Sequence, residues 1–296
     1  MTGRVLVTGA AARLGAALVE AFGGGQVIAY GRRGLDVTDP IAVRDTIAAA
    51  APSVVINCAA FNEVDGAEDR ASEALAVNAF AVRSLARAAE ACDATFVHFG
   101  TDFVFDGEAD APYGETAVPS PRSVYGLSKL MGDWFALESP RAFVLRVESL
   151  FGAAEGWTGR QGSMDAILDG LERGAEVRVF SDRVVSPSYV HDVARAVTQL
   201  VESGAAPGLY HCVNSGHATW LDIAVEAARL MGVRPRLQPV TLDQVAFRAA
   251  RPRFCALSNQ KLEAAGCAMP AWNDALQRWL AARQILRNAR VDKVHG

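Results

Sequence analysis

The opening of the chain constrains the fold more than any other stretch. Arg4-Val5-Leu6-Val7-Thr8 is rich in β-branched residues and stops at Gly9, and Ala and Leu then recur at helical spacing from Ala12 to Phe22. Strand, glycine turn and helix form the first half of a βαβ unit. The same alternation continues, with strand patterns at Gln26–Tyr30, Ser53–Asn57, Thr95–Phe99 and Phe143–Val147. Helical patterns lie between them at Pro40–Ala50, Ala71–Cys92 and Tyr125–Glu138. Such alternation predicts an α/β fold with a doubly wound parallel sheet over residues 1–151.

Past Gly152 the rhythm loosens, and a smaller mixed α/β C-terminal substrate-binding domain is expected over 152–296, with some segments returning to the sheet. It begins with a Gly-rich loop, Gly156–Gly162. Helices are expected at Ser163–Arg173, Val190–Glu202, Trp220–Met231, Leu242–Ala249 and Trp272–Leu286, with strands at Val177–Phe180 and Leu209–Val213. The polar tail from Asn288 to Gly296 is expected to fray.

A chain of 296 residues that is 51% hydrophobic can bury a core large enough for one big domain or two unequal ones. Its net charge of −4 offers no basic stripe to track a phosphate backbone, so nucleic acid is not an expected partner. Cys58, Cys92, Cys212, Cys255 and Cys267 are scattered, without a C-x-x-C pair or clustered histidines, which argues against a metal centre and against a disulfide framework. No apolar run approaches the roughly 20 residues of a membrane span, and the first strand begins too early for a leader, so a cytoplasmic protein is expected.

The turn Gly9-Ala10-Ala11-Ala12-Arg13-Leu14-Gly15 has the G-x-x-G-x-x-G spacing of a dinucleotide-binding Rossmann loop, with Ala12 at the middle glycine. Gly9 allows the tight turn, Gly15 lets helix and strand pack closely, and the helix N-terminus offers N–H groups to a pyrophosphate. After the second strand, where NAD-binding folds place an acid, the chain has Gly31-Arg32-Arg33. Guanidinium forks grip a 2′-phosphate, which favours NADP(H) while leaving NAD(H) open. Cys58-Ala59-Ala60 supplies small residues at the end of the third strand. Gly100-Thr101-Asp102 puts a hydroxyl and a carboxylate at the end of the fourth, where Thr101 can bond a substrate carbonyl. Tyr125 and Lys129 are spaced i,i+4 on a helix and so present a phenol and an ammonium on one face. A cation that close lowers an acid's pKa by about 1–3 units, which would ready Tyr125 as a proton donor.

With Thr101, Tyr125 and Lys129 in place, the chain resembles the extended short-chain dehydrogenases/reductases, and more narrowly the dTDP-4-dehydrorhamnose reductase family. The narrower likeness rests on Leu35-Asp36-Val37-Thr38-Asp39-Pro40, Val55-Ile56-Asn57-Cys58-Ala59-Ala60-Phe61, Val64-Asp65 with Ala67-Glu68, and Ala76-Val77-Asn78-Ala79. It continues through Thr101-Asp102-Phe103-Val104-Phe105-Asp106-Gly107, Pro112-Tyr113-Gly114-Glu115, Tyr125-Gly126-Leu127-Ser128-Lys129 and Ser186-Pro187-Ser188-Tyr189. Gly208-Leu209-Tyr210-His211 and Arg251-Pro252 with Leu257-Ser258 complete the order.

The resemblance implies an oxidoreductase that uses NADP(H) to reduce the 4-keto group of a nucleotide-linked deoxysugar, with Thr101, Tyr125 and Lys129 catalytic. Cofactor contacts are implied for Gly9, Ala12, Arg13, Leu14, Gly15, Arg32, Arg33, Asp36, Val37, Ala59, Ala60, Phe61 and Asn78, besides Tyr125 and Lys129. Substrate contacts are implied for Thr101, Asp102, Phe103 and Ser149, and a homodimer is compatible with the reading. Two alternatives stand beside it: a nucleotide-sugar epimerase or dehydratase that reuses the Tyr/Lys pair, and a regulatory subunit of the same fold that binds nucleotide without turnover. The departures from the family pattern all fall on the substrate side. Gly100 and Phe103 stand for Ser and Tyr, Arg146-Val147-Glu148-Ser149 for Arg-Thr-Ser-Trp, and Ser163-Met164 for Asn-Phe. Trp157 is a candidate replacement for the lost aromatic wall, set against the plainer role of a loop anchor.

Overall fold

A computed structural model describes residues 3–23, 26–154 and 157–295, with side chains described to residue 284. Gly156 of the Gly-rich loop and Gly296 of the tail lie outside the described residues. Strands β1 (Val5–Thr8), β2 (Val27–Tyr30), β3 (Val54–Asn57), β4 (Thr95–Thr101) and β5 (Ala142–Val147) join the late strand Gly208–His211 in one six-stranded sheet. All pairings in it are parallel, and the order from the far edge is Gly208–His211, β5, β4, β3, β1, β2. β1, β3, β4 and β5 are mainly apolar and buried on both faces, as covered parallel strands must be, whereas the edge strands β2 and Gly208–His211 are partly exposed.

Helices Arg13–Phe22 and Val190–Glu202 cover one face, packing Leu14, Leu18, Val193 and Val197 onto Val7, Val54 and Val97. Helices Pro40–Ala50 and Ala81–Glu90 cover the other, with Val43, Ile47, Val82 and Leu85 on Leu6, Val55 and Phe96. The helix at 190–202 and the strand at 208–211 therefore belong to the central sheet although they lie late in the chain. The chain leaves β1 for β2 on one side and resumes at β3 on the other. That reversal opens a crevice at the carboxyl ends of β1 and β3, where doubly wound sheets bind ligands.

Over this edge sits a second layer. Helices Ser163–Glu172, Trp220–Met231 and Trp272–His295 close around Phe151, Met164, Leu168, Ile223 and Trp279. Short pairings hold it: Leu150–Phe151 with Ser188–Tyr189, Glu176–Phe180 with Arg236–Val240, and Val184–Val185 with Ala218–Thr219.

Three expectations change. The helix expected at Ala71–Cys92 is broken into Ala71–Leu75, a π-helical turn Ala76–Phe80, and Ala81–Glu90. The widened turn pushes the Asn78 carbonyl onto the helix Val124–Leu137, where a Cβ at Gly132 would lie 2.1 Å from it. Leu242–Ala249 gives only a 3₁₀ turn, Leu242–Gln244, none of whose residues is buried, and the N–H groups of Arg248 and Ala249 donate to Asp65 Oδ1 and not to helix carbonyls. The helix Trp272–His295 runs on through the expected tail. Among the described residues no helix is long and apolar enough to cross a membrane.

Candidate active site

β4 ends at Thr101, whose Oγ1 accepts a bond from the N–H of Phe103 at 3.3 Å and so starts the 3₁₀ turn Asp102–Val104. Ser123 caps the helix Val124–Leu137 by accepting from Gly126 N at 3.1 Å, and Glu68 accepts from Val124 N at 2.9 Å. At Gly126 a Cβ would stand 2.3 Å from the Phe103 carbonyl, so only glycine lets the helix start lie on that turn. These contacts bring the Tyr125 phenol beside the Thr101 hydroxyl, with Lys129 one turn further; Tyr125 is 9% exposed and Lys129 3%.

The electrostatics depart from the expectation. Lys129 Nζ is turned onto the Phe99 carbonyl. Burial lowers its pKa to about 8, against the opposing pull of Asp133 and Cys58. The phenol is not made more acidic: burial pushes its pKa up, the Thr101 hydroxyl pulls it down, and the carboxylates of Asp102 and Asp133 push it up again. In the chain by itself Tyr125 therefore holds its proton, and the Tyr–Lys spacing places the two groups without coupling them as i,i+4 neighbours were expected to couple.

Beneath them runs a buried polar layer. Thr8 donates to Asn57 Oδ1 at 2.7 Å, Ala59 N donates to the same oxygen at 3.1 Å, and Asn57 Nδ2 meets His98 Nδ1 at 3.3 Å. Arg146 Nε donates to Asp133 Oδ2 at 3.0 Å. A Cβ at Gly100 would lie 2.7 Å from Asp133 Oδ1 and 2.8 Å from Arg146 Cγ, which explains the glycine before Thr101: this ion pair fills the space of a side chain. Asn78 grips the backbone of Phe61 at both ends, accepting from its N–H at 2.8 Å and donating to its carbonyl at 3.0 Å. It also donates to Ser128 Oγ at 3.0 Å, which donates in turn to the Tyr125 carbonyl at 2.7 Å. The loop after β3 is thereby fixed to the Tyr125 helix.

Two adjoining cavities occupy the crevice, sharing Ala12, Cys58, Ala59, Ala60 and Asn62 as walls. The outer one, about 420 Å³, adds Gly9, Arg32, Asp36, Val37 and Phe61. The inner one, about 260 Å³, adds Arg13, Leu14, Thr101, Asp102, Phe103, Tyr125, Lys129, Glu148 and Ser149. Gly15, Arg33 and Asn78 are not among the lining residues. Gly15 is packed on the Gly9 carbonyl, Asn78 acts from behind the wall, and Arg33 is exposed. Arg13 lines the cavity, but its guanidinium bonds the Asp165 carboxylate and the Gly152 carbonyl, so it ties the second layer to the glycine turn. Trp157 is the loop anchor: its Nε1 donates to the Ala11 carbonyl at 3.1 Å, and Arg13 stacks 4.4 Å from its ring centroid.

The turn suits a dinucleotide. Gly9, at φ +64°, could not carry a Cβ, which would fall 2.4 Å from Ala59 N. Ala12 caps the helix Arg13–Phe22 without a side-chain bond, and no acid stands in the first turn, so the helix N–H groups and dipole are uncapped where Ala12 walls both cavities. At the opposite end Phe103 lies edge-on to Tyr125, 5.5 Å between centroids, with Arg183 and Arg251 against its faces. Sequence reading missed Glu148, Arg183 and Asp133. The one local signal was a charged pair, Arg146 and Glu148, at the end of an otherwise apolar strand.

The chain matches the family described as RmlD substrate binding domain over residues 3–285. It is 36% identical over 289 residues to a dTDP-4-dehydrorhamnose reductase of Streptomyces griseus, covering 94% of this chain and 91% of that protein. It is likewise 36% identical to a dTDP-4-keto-6-deoxy-D-glucose reductase of Streptomyces niveus, covering 93% of this chain and 96% of that one. Among solved structures, a dTDP-4-dehydrorhamnose reductase of Bacillus anthracis in complex with NADP superposes with a TM-score of 0.89 at 28% identity, covering 95% of this chain and 100% of that one.

Proposed function

The chain belongs to the RmlD substrate binding domain family, and on that premise we propose that it is an NADP(H)-dependent reductase of the 4-keto group of a nucleotide-linked deoxysugar. The observation that carries the reading is the meeting of Thr101 and Tyr125 in a cavity continuous with the glycine-turn pocket. When bound, the dinucleotide supplies a hydride to the carbonyl carbon. Its pyrophosphate would lie on the uncapped N-terminus at Ala12, its adenosine ribose between Arg32 and the Asp36-Val37 segment, and its flat ring against Ala59 and Ala60.

The chain's own residues do the rest. The Tyr125 hydroxyl is the donor that can hold the carbonyl oxygen, joined by Thr101 Oγ1 when its hydrogen turns from Asp102 Oδ1 to the ketone. As negative charge develops there, the phenol hands its proton to that oxygen. A phenol that keeps its proton until the oxygen becomes basic is suited to act as an acid, and solvation of the resulting phenolate falls to the Thr101 hydroxyl. Lys129, held by the Phe99 carbonyl, is also positioned to reach ribose hydroxyls. Arg32, at the mouth of the outer cavity, favours the 2′-phosphate.

The test is loss of NADPH near-UV absorbance with dTDP-4-dehydrorhamnose and other dTDP-linked 4-keto sugars. Turnover in the wild type that is abolished in Tyr125→Phe, with cofactor affinity kept, is expected. Tight NADPH binding without turnover on any of these sugars would instead identify a nucleotide-binding regulatory subunit.

A further inference from the structure

Directly beside Thr101, the inner cavity is walled by two carboxyl groups that the reduction does not use. Asp102 is 3% exposed and Glu148 2%. Asp102 Oδ1 accepts from Thr101 Oγ1 at 3.0 Å, and Glu148 Oε2 accepts from Ser186 N at 2.7 Å. Their other oxygens, Asp102 Oδ2 and Glu148 Oε1, have no partner among the described residues, and neither has Arg183 Nε. A carboxylate oxygen of each and Cys255 Sγ lie within 4.8 Å of one another, so that one donor placed between the two acids can reach both. Buried acceptors left this way are costly unless something arrives to pair them.

The charge balance narrows what arrives. Two carboxyls face a single permanent cation, Arg183, whose guanidinium approaches Cys255 Sγ at 4.0 Å. Burial, and in Glu148 also the neighbouring Asp102, push both carboxyls up, so the pair retains a proton while nothing else is present. A divalent ion would sit against the Arg183 charge, and Cys255, pushed well up by burial, stays a thiol and a poor ligand. A hydroxyl has one hydrogen and can satisfy one of the two oxygens. A primary ammonium has three and brings the missing charge.

Resting on the reductase reading above, we propose that Asp102 and Glu148 form a binding site for a primary ammonium group one ring position from the ketone, making the substrate a nucleotide-linked amino-deoxy keto sugar. The group lies one position away because Asp102 follows Thr101 and is bonded to it, so the neighbouring ring substituent falls to the acid pair when the ketone falls to Thr101. Glu148 and Ser149 together give this wall of the cavity a carboxyl and a hydroxyl where an apolar side chain would offer the amine nothing.

Calorimetry on the full-length protein tests this with two stable probes: a dTDP-linked amino-dideoxyhexose with its amine beside the reducible carbon, and the dTDP-deoxyhexose with a hydroxyl there. The amine should bind about tenfold tighter or more, and Glu148→Gln, which keeps an acceptor for Ser186 N, should erase most of that preference while moving the hydroxyl probe by less than about threefold. Equal wild-type affinities, an equal loss for both probes, or zinc retained by the wild type and lost in Glu148→Gln would overturn the assignment. The wild-type comparison needs no variant to fold. Amine preference without NADPH turnover would remove the reductase reading and keep the subsite; turnover of hydroxyl sugars without amine preference would do the reverse.

Discussion

At the Gly9 end the cleft is walled by backbone and by Ala12, Ala59 and Ala60, whereas at the Glu148 end it is walled by side chains that carry charge. Behind the first wall Thr8 is paired with Asn57, and Asn78 with the Phe61 backbone. The second wall leaves Asp102 Oδ2 and Glu148 Oε1 open. On the proposed reading, a cofactor common to many reactions would be met by a fixed cradle, and a particular substrate by groups whose partners it must itself supply. Tyr125 stands at the seam between the two.

The sharpest way to break this division is at the seam. Tyr125→Phe should lower kcat by about 10²–10⁴-fold while leaving the Kd for NADPH within about twofold, measured by stopped-flow turnover and fluorescence titration. A comparable loss of cofactor affinity would mean that the phenol belongs to the cradle.

On the cofactor side, Gly132→Ala drives a Cβ into the Asn78 carbonyl, and urea unfolding should show a loss of about 1–3 kcal/mol. An unchanged midpoint would show that this scaffold is softer than its packing implies. Arg32→Ala should weaken NADPH about tenfold and NADH little, with Arg33→Ala within about twofold for both, because only Arg32 lines the cavity. Equal effects at the two positions would move the 2′-phosphate away from Arg32.

The smallest effect concerns Lys129, whose pKa falls from 10.5 to about 8 on burial. Between those values the unfolded chain binds the extra proton, so folding stability gains as pH rises through the window, and below about pH 8 the buried ammonium is a standing cost. Lys129→Met should therefore melt above the wild type at neutral pH, with the gap closing as pH rises from about 8 towards 10.5. A gap that is constant with pH would show that burial does not depress the Lys129 pKa.

The elements that were legible are those whose physics is local. Gly15 announces a close helix because its missing Cβ would meet the Gly9 carbonyl, six residues back; Gly9 announces a tight turn by its φ of +64°, although the atom that forbids its Cβ, Ala59 N, comes from beyond β3. Tyr125 and Lys129 announce a shared face by equally local spacing. The i,i+4 rule could not say where the ammonium points, and it points at the Phe99 carbonyl, a partner supplied by β4. Asn78 read as a contact residue because its segment matches a family block, yet its work is done behind the wall by bonds to Phe61 and Ser128.

From the sequence alone came the parallel sheet, the dinucleotide turn and the shared helix face of Tyr125 and Lys129, because hydrophobic period, glycine placement and helical spacing act over one or two turns of chain. Only the folded chain could set Asp133 against Arg146 in the gap at Gly100, or gather Asp102, Glu148, Arg183 and Cys255 at one wall. Those groups come from segments scattered across the sequence, and the charge and solvent exposure that set their chemistry do not exist until the second layer closes over the sheet.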